Sequence, residues 1–253
     1  MEKKKYTLNF LHDTQPFVVK ELLEKYPDIN IEKKSPDSLV FSSVESDIET
    51  FRNLYSPSHI KNEIGKELNL SRRPWRKEYV PAGIDPSLAY IMCQIADMDN
   101  NTILYDPFCG AGTIPITALS YFNIKKSICS DISGTAIEKC KTNFELTDIP
   151  KEKYIIFRSG IKDIKLNKQN VDRIITNLPF GIRVGSHEEN VKIYKDLEDK
   201  ADRLLRTKGQ LIILTQEKKL IRDTFRKDKW NVESVARINE GGLLPEIFRI
   251  ERK

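Results

Sequence analysis

From residue 102 onward, short apolar runs alternate with longer stretches of helical spacing. Strands are predicted at 102–105, 127–131, 154–158, 172–177 and 210–215, and helices at 112–122, 134–146, 190–207 and 217–227. Repeated strand–helix units cover a sheet on both faces, which makes that sheet mostly parallel. Two further segments, 232–238 and 247–251, flank a Gly-containing turn and should pair antiparallel at the sheet edge. A helix at 86–96, capped by Asp85, precedes the series. The expected fold class is therefore α/β, with a seven-stranded sheet closed by an antiparallel edge strand.

The first 66 residues lack this alternation and read as a small α+β unit. A strand is predicted at 6–11, and Pro16 opens a helix with apolar Phe17, Val18, Leu22 and Leu23. Strands at 29–31 and 38–44 follow, then a helix at 47–55 capped by Ser46 or Asp47, and Ser56-Pro57 closes the unit. The organisation expected is 1–66 for the small unit, 67–84 for a basic linker and 85–253 for the main domain.

Composition narrows the class. With 253 residues, of which 39% are hydrophobic and 31% charged, the chain can bury a large core. Its apolar stretches fall short of the roughly 20 residues that cross a bilayer, and the basic start lacks the apolar core of a signal peptide, so no membrane partner is expected. Cys93, Cys109, Cys129 and Cys140 show no CxxC spacing and only three histidines are present, so no metal site is expected and the thiols read as reduced and cytoplasmic. A net charge of +5 is compatible with nucleic acid without requiring it.

Two motifs carry chemistry. Asp106-Pro107-Phe108-Cys109-Gly110-Ala111-Gly112-Thr113 follows the first strand of the series and opens a helix, where a Gly-rich turn lets backbone N–H groups approach a ligand. The second strand ends in Asp131, placed to accept both hydroxyls of a ribose diol; the alternative is a cap for the next helix. A dinucleotide fingerprint would want Gly where Pro115 stands, and Asp106 would repel pyrophosphate. A carboxylate there suits the ammonium and sulfonium charges of S-adenosylmethionine. Contacts to that cofactor are expected from Asp106, Phe108, Cys109, Gly110, Gly112, Thr113, Asp131, Ile132 and Asn177.

The second motif, Thr176-Asn177-Leu178-Pro179-Phe180-Gly181, ends the fourth strand, and ligands of open α/β sheets bind outside such tips. The Asn177 side-chain oxygen and the Leu178 carbonyl can accept both N–H bonds of an exocyclic amine, with Pro179 fixing the carbonyl's direction. Phe180 can stack on a base turned out of its helix. Catalysis would then rest on positioning for in-line displacement.

Together, DPFCGAGTI and NLPFGIRVG resemble the motifs of class I S-adenosylmethionine-dependent RNA methyltransferases of the THUMP-associated guanine-N2 group, whose fold is a Rossmann-like seven-stranded sheet. RRPWRKEYVPAGIDPSLAYIM is similar to the linker and first helix that those enzymes carry. The resemblance spans about residues 70–253. It implies tRNA or rRNA as substrate, methyl transfer to the N2 amine of guanine, and Asn177, Leu178, Pro179 and Phe180 as the catalytic turn. Members usually carry an acidic residue after the third strand that contacts the cofactor adenine; here Gly160 stands in that place and Asp163 follows three residues later. The THUMP domain is not found in the sequence, and the small unit resembles only its ferredoxin-like companion, so an RNA-binding partner subunit is a further expectation.

Arg72, Arg73, Arg76 and Lys77 around Trp75 can bind phosphates with the ring stacking, or form a solvated linker anchored by Trp75. Arg183 can clamp a phosphate or pair with Glu188 or Glu189. Two alternatives stand beside guanine-N2 methylation: a non-catalytic RNA-binding or assembly protein, and an N6-adenine methyltransferase, whose related turn usually has Pro where Leu178 stands.

Overall fold

The computed structural model describes residues 3–180, 187–226, 228–239 and 242–253. Its first sheet has the order β2-β3-β1-β4-β5, built from β1 (Lys4–Asn9), β2 (Asn30–Lys34), β3 (Ser38–Ser43), β4 (His59–Asn62) and β5 (Glu67–Asn69), with every pair antiparallel. Helix α1 (Gln15–Lys25) packs on it through Val18 and Leu22, against Leu8, Phe41 and Phe51. Two features depart from expectation. Asp47 caps the next segment by accepting from the Glu49 N–H, yet Ile48–Asn53 forms a 3₁₀ turn, since six residues with β-branched Ile48 and Thr50 cannot sustain an α-helix. Strands β4 and β5 extend the sheet past Ser56-Pro57. Each buries one side chain, Ile60 or Leu68, which is too little alternation to announce a strand.

The second sheet has the order β11-β12-β10-β9-β6-β7-β8. Its strands are β6 (Ile103–Asp106), β7 (Lys126–Asp131), β8 (Tyr154–Arg158), β9 (Val171–Asn177), β10 (Leu205–Thr215), β11 (Trp230–Arg237) and β12 (Glu246–Arg252). The pairs β6–β7, β7–β8, β6–β9 and β9–β10 are parallel; β12 runs antiparallel to both β10 and β11, between which it lies. One face carries α2 (Pro86–Ile95), α3 (Thr113–Tyr121) and α4 (Gly134–Glu145); the other carries α5 (His187–Leu204) and α6 (Lys218–Thr224). Asp85 caps α2 by accepting from the N–H groups of Ser87 and Leu88.

A seam of polar and aromatic groups joins the two sheets' units. Arg73, 5% exposed, donates to the carbonyls of Leu70 and, at 2.9 Å, of Tyr55, beneath the stacked rings of Tyr55 and Tyr121. The Ser87 hydroxyl donates to the Pro57 carbonyl at 3.0 Å. Trp75 is buried among Leu88, Met92 and their neighbours. The order in the second sheet puts β6 between β7 and β9, so the chain reverses its winding there, and a crevice opens outside the strand ends at such a point. Asp106, Asp131 and Asn177 each end one of these three strands.

Candidate active site

The crevice is a cleft of about 580 Å³ lined by both motifs. At its floor Asp106, 1% exposed, accepts from the Thr176 hydroxyl at 2.8 Å and the Phe108 N–H at 3.2 Å, which ties the end of β6 to that of β9. Burial pushes the Asp106 carboxyl up to about 7; the bonds from Thr176 and Phe108 oppose this, and the nearby Asp131 adds to it. Asp131 accepts from the Gly110 N–H at 3.0 Å and the Ser133 N–H at 2.9 Å. It does not cap α4: the Ser133 hydroxyl does, accepting from the Ala136 N–H.

The Gly-rich turn is forced by its surroundings. Gly112 sits at φ +85°, and a Cβ there would lie 2.8 Å from the Cys140 sulfur. Cys109 is buried; a contact with Cys140 draws its thiol down, but burial and nearby Cys129 and Asp106 push it up to about 12, so it is a small packing residue and no nucleophile.

A wall of this cleft comes from residues 78–84, a strap the sequence reading treated as linker. Asn143, fully buried on α4, holds the strap to the turn: its side-chain oxygen accepts from the N–H groups of Lys77 (3.0 Å) and Glu78 (2.9 Å), and its Nδ2 donates to the carbonyls of Glu78 (3.0 Å) and Ala111 (2.9 Å). Lys139 donates to the Tyr79 carbonyl at 2.6 Å, and Val80 packs so close that a Cβ on Gly110 would lie 3.0 Å from it. Ala82 adopts φ +57°, rare for a residue with a side chain, and presents its carbonyl to Asn177, whose Nδ2 donates to it at 3.0 Å.

That bond settles which way the Asn177 amide faces. Its Oδ1 is buried and meets no donor among the described residues. Leu178 anchors the turn with a side chain 2% exposed, while its N–H donates to the Leu214 carbonyl at 3.1 Å. Asn190, at the start of α5, donates to the Pro179 carbonyl at 3.1 Å, and Phe180 stands half-buried in the cleft wall. An unpaired acceptor beside an aromatic ring, close to a buried carboxylate, is an arrangement that can hold an amine and the base that carries it.

A family model described as "RMKL-like, methyltransferase domain" of UPF0020 matches residues 73–246. The chain belongs to this family. A relative from Methanocaldococcus jannaschii, named tRNA (guanine(6)-N2)-methyltransferase, is 25% identical over 222 residues, covering 72% of this chain and 57% of its own length. The chain spans about half the length of the curated relatives it matches. In fold it is similar to TrmN from Thermus thermophilus (TM-score 0.84, 16% identity, 99% of this chain and 100% of that one) and to SMU.472 complexed with SAH (TM-score 0.78, 14% identity, 98% of each chain).

Membership in UPF0020 accords with the seven-stranded sheet and its position of the two motifs. Asp106, Phe108, Cys109, Gly110, Thr113, Asp131, Ile132 and the run Asn177, Leu178, Pro179 and Phe180 all line the cleft; Gly112 shapes the turn from beneath. Two of the residues read as RNA-binding are corrected. Trp75 and Arg73 are interior, because the ring completes the core beside α2 and the guanidinium joins the two units, so neither is available to RNA. Arg72 and Lys77 are exposed, and Arg76 borders the cleft while donating to the Ile84 carbonyl at 3.0 Å. Arg183 lies outside the described residues.

The sequence reading missed the strap, Asn143 and Asn190, and it passed over Asp163. The turn Ile161–Asp163 carries the Asp163 carboxylate back to 3.8 Å from where a Cβ on Gly160 would stand, beside the Ile132 side chain. One signal was present: Asn143 lies on the buried stripe of α4 with Ile137, Cys140 and Phe144, where a polar residue needs a partner.

Proposed function

We propose that the chain is an S-adenosylmethionine-dependent methyltransferase that modifies the exocyclic N2 amine of a guanine in structured RNA, tRNA foremost and rRNA next. The observation that carries this reading is the Asn177 amide, whose Nδ2 is engaged by Ala82 while its buried Oδ1 stands unpaired at the cleft wall beside Phe180. An amine conjugated to a purine ring is a weak nucleophile, and an acceptor held ready for its N–H both orients it and favours a pyramidal nitrogen. The Leu178 carbonyl is the second acceptor and Phe180 the stacking surface.

The residues present fit the cofactor. Each oxygen of Asp131 holds one backbone N–H and keeps a lone pair for a ribose hydroxyl. Ile132, 72% exposed at the cleft, offers an apolar face to adenine, with Asp163 beside it as an acceptor for the adenine amine. Asp106 lies where an ammonium group would return its carboxyl to the ionised form. When bound, S-adenosylmethionine supplies an electrophilic methyl group. The name of the Methanocaldococcus relative supports tRNA and the N2 position; Arg76 at the cleft and the exposed Arg72 and Lys77 are the cations offered to the RNA backbone.

Mass spectrometry of nucleosides from total tRNA and from rRNA incubated with the purified protein and S-adenosylmethionine tests the proposal. New N2-methylguanosine is expected, in tRNA first. Both RNAs left without it, or new N6-methyladenosine alone, would overturn it.

A further inference from the structure

Asn190 is fully buried and lines the same cleft, and its tether to Pro179 uses only the nitrogen of its amide. Its Nδ2 faces two acceptors, the Pro179 carbonyl at 3.1 Å and the Glu217 carboxylate at 3.4 Å. Turning the amide over would set its oxygen against both of them, so the orientation is locked. The Oδ1 that remains is buried and meets no donor among the described residues. A second unpaired amide oxygen thus stands next to the turn that carries Asn177, and a buried acceptor without a donor is costly unless a ligand supplies one.

The chemistry of the bases says which ligand. Guanine, adenine and cytosine all carry an exocyclic amine, but the adjoining ring nitrogen differs. In adenine (N1) and in cytosine (N3) the nitrogen on the Watson–Crick side is an acceptor, whereas in guanine, whose C2 amine lies between N1 and N3, N1 bears a hydrogen. Two unpaired acceptors on the wall of one cleft, one from Asn177 and one from Asn190, match an amine with a ring N–H on its Watson–Crick side and clash with an amine that has only lone pairs beside it. We propose that the Asn190 side-chain oxygen accepts the N1–H of the target guanine and selects guanine over adenine and cytosine in this cleft. This inference rests on the reading of residues 177–180 as the amine-binding turn. A site built to bond a substrate N–H rejects the analogue lacking it, because its own buried group is then left unpaired.

The test uses a synthetic tRNA carrying either guanine or 2-aminopurine at the position that the wild-type protein methylates. 2-Aminopurine keeps the C2 amine but has no hydrogen on N1. The wild type is expected to favour guanine by at least about tenfold in kcat/KM. In Asn190→Leu the preference should fall to about twofold or less, whatever loss both substrates share once the Pro179 carbonyl is untethered. A purely structural role would lower both rates together and leave the preference intact, which would overturn the assignment. Equal rates on the two bases with the wild type would overturn it too, whether or not the variant folds. A wild type that methylates no guanine in any tRNA would instead refute the reading of the turn, and the present inference with it.

Discussion

At the scale of single residues, Asp106 is the group whose environment has the clearest consequence. Its carboxyl is pushed up to about 7 in the folded chain, chiefly by burial. An unfolded Asp ionises near pH 4, at about 3.9. Between about pH 4 and about pH 7 the folded state therefore holds a proton that the unfolded state has released. This carboxyl's contribution to stability is fully present below pH 4, declines as the pH rises through that window, and changes no further above it. Binding of a cationic cofactor runs the other way, since only the ionised carboxylate attracts an ammonium. S-adenosylmethionine is expected to bind about five- to tenfold more weakly at pH 6 than at pH 7.5. Calorimetry at the two values checks this, and Asp106→Asn should bind weakly at both with that dependence gone. A wild-type affinity flat over the window would place the ammonium elsewhere.

At the scale of elements, the strap at 78–84 decides how well the cleft is formed. Asn143 engages four backbone groups, one on Lys77, two on Glu78 in the strap and one on Ala111 in the Gly-rich turn, and Asn143→Leu leaves all four unpaired at similar volume. The expected cost is about 2–4 kcal/mol of stability, read by denaturant unfolding. Cofactor affinity should fall at least about fivefold, as loss of a placed polar contact commonly brings. An unchanged affinity in a folded variant would show that the strap does not shape the cofactor site. The strap also marks a boundary of what sequence can tell. Strands β6 to β10 and their helices were legible because apolar period and turn residues are local signals. The two motifs were legible because strand ends in such sheets face ligands. The strap has no period of its own: its shape comes from an asparagine 65 residues away in the chain and from the carbonyl that Ala82 offers to Asn177, across 95 residues. Asp163 was passed over for a related reason, because only the fold shows that a short turn brings it back over Gly160.

At the scale of the whole molecule, charge and burial part company in the stretch around Trp75. Counting cations treats Arg72, Arg73, Arg76 and Lys77 alike, yet the docking of the small unit on the larger one withdraws Arg73 from solvent. Arg73→Ala should therefore destabilise the chain by about 2–4 kcal/mol, since the Leu70 and Tyr55 carbonyls lose their donor. The double substitution Arg72→Ala and Lys77→Ala should leave stability within about 0.5 kcal/mol. It should weaken RNA binding and flatten its salt dependence by up to about two units of slope. Denaturant unfolding and filter binding across a salt series distinguish the two. A stable Arg73→Ala protein would contradict the seam described here.

In the proposed reaction the Asn177 amide holds the amine that receives the methyl group, and the most direct measurement is single-turnover methyl transfer to tRNA by Asn177→Ala. With tritiated cofactor, the rate is expected to fall at least about 100-fold, while calorimetric affinity for S-adenosylmethionine changes by no more than about threefold, since the cofactor's charges and ribose are assigned to Asp106 and Asp131 and Asn143 keeps its four backbone bonds. Equal rates in variant and wild type would contradict the account.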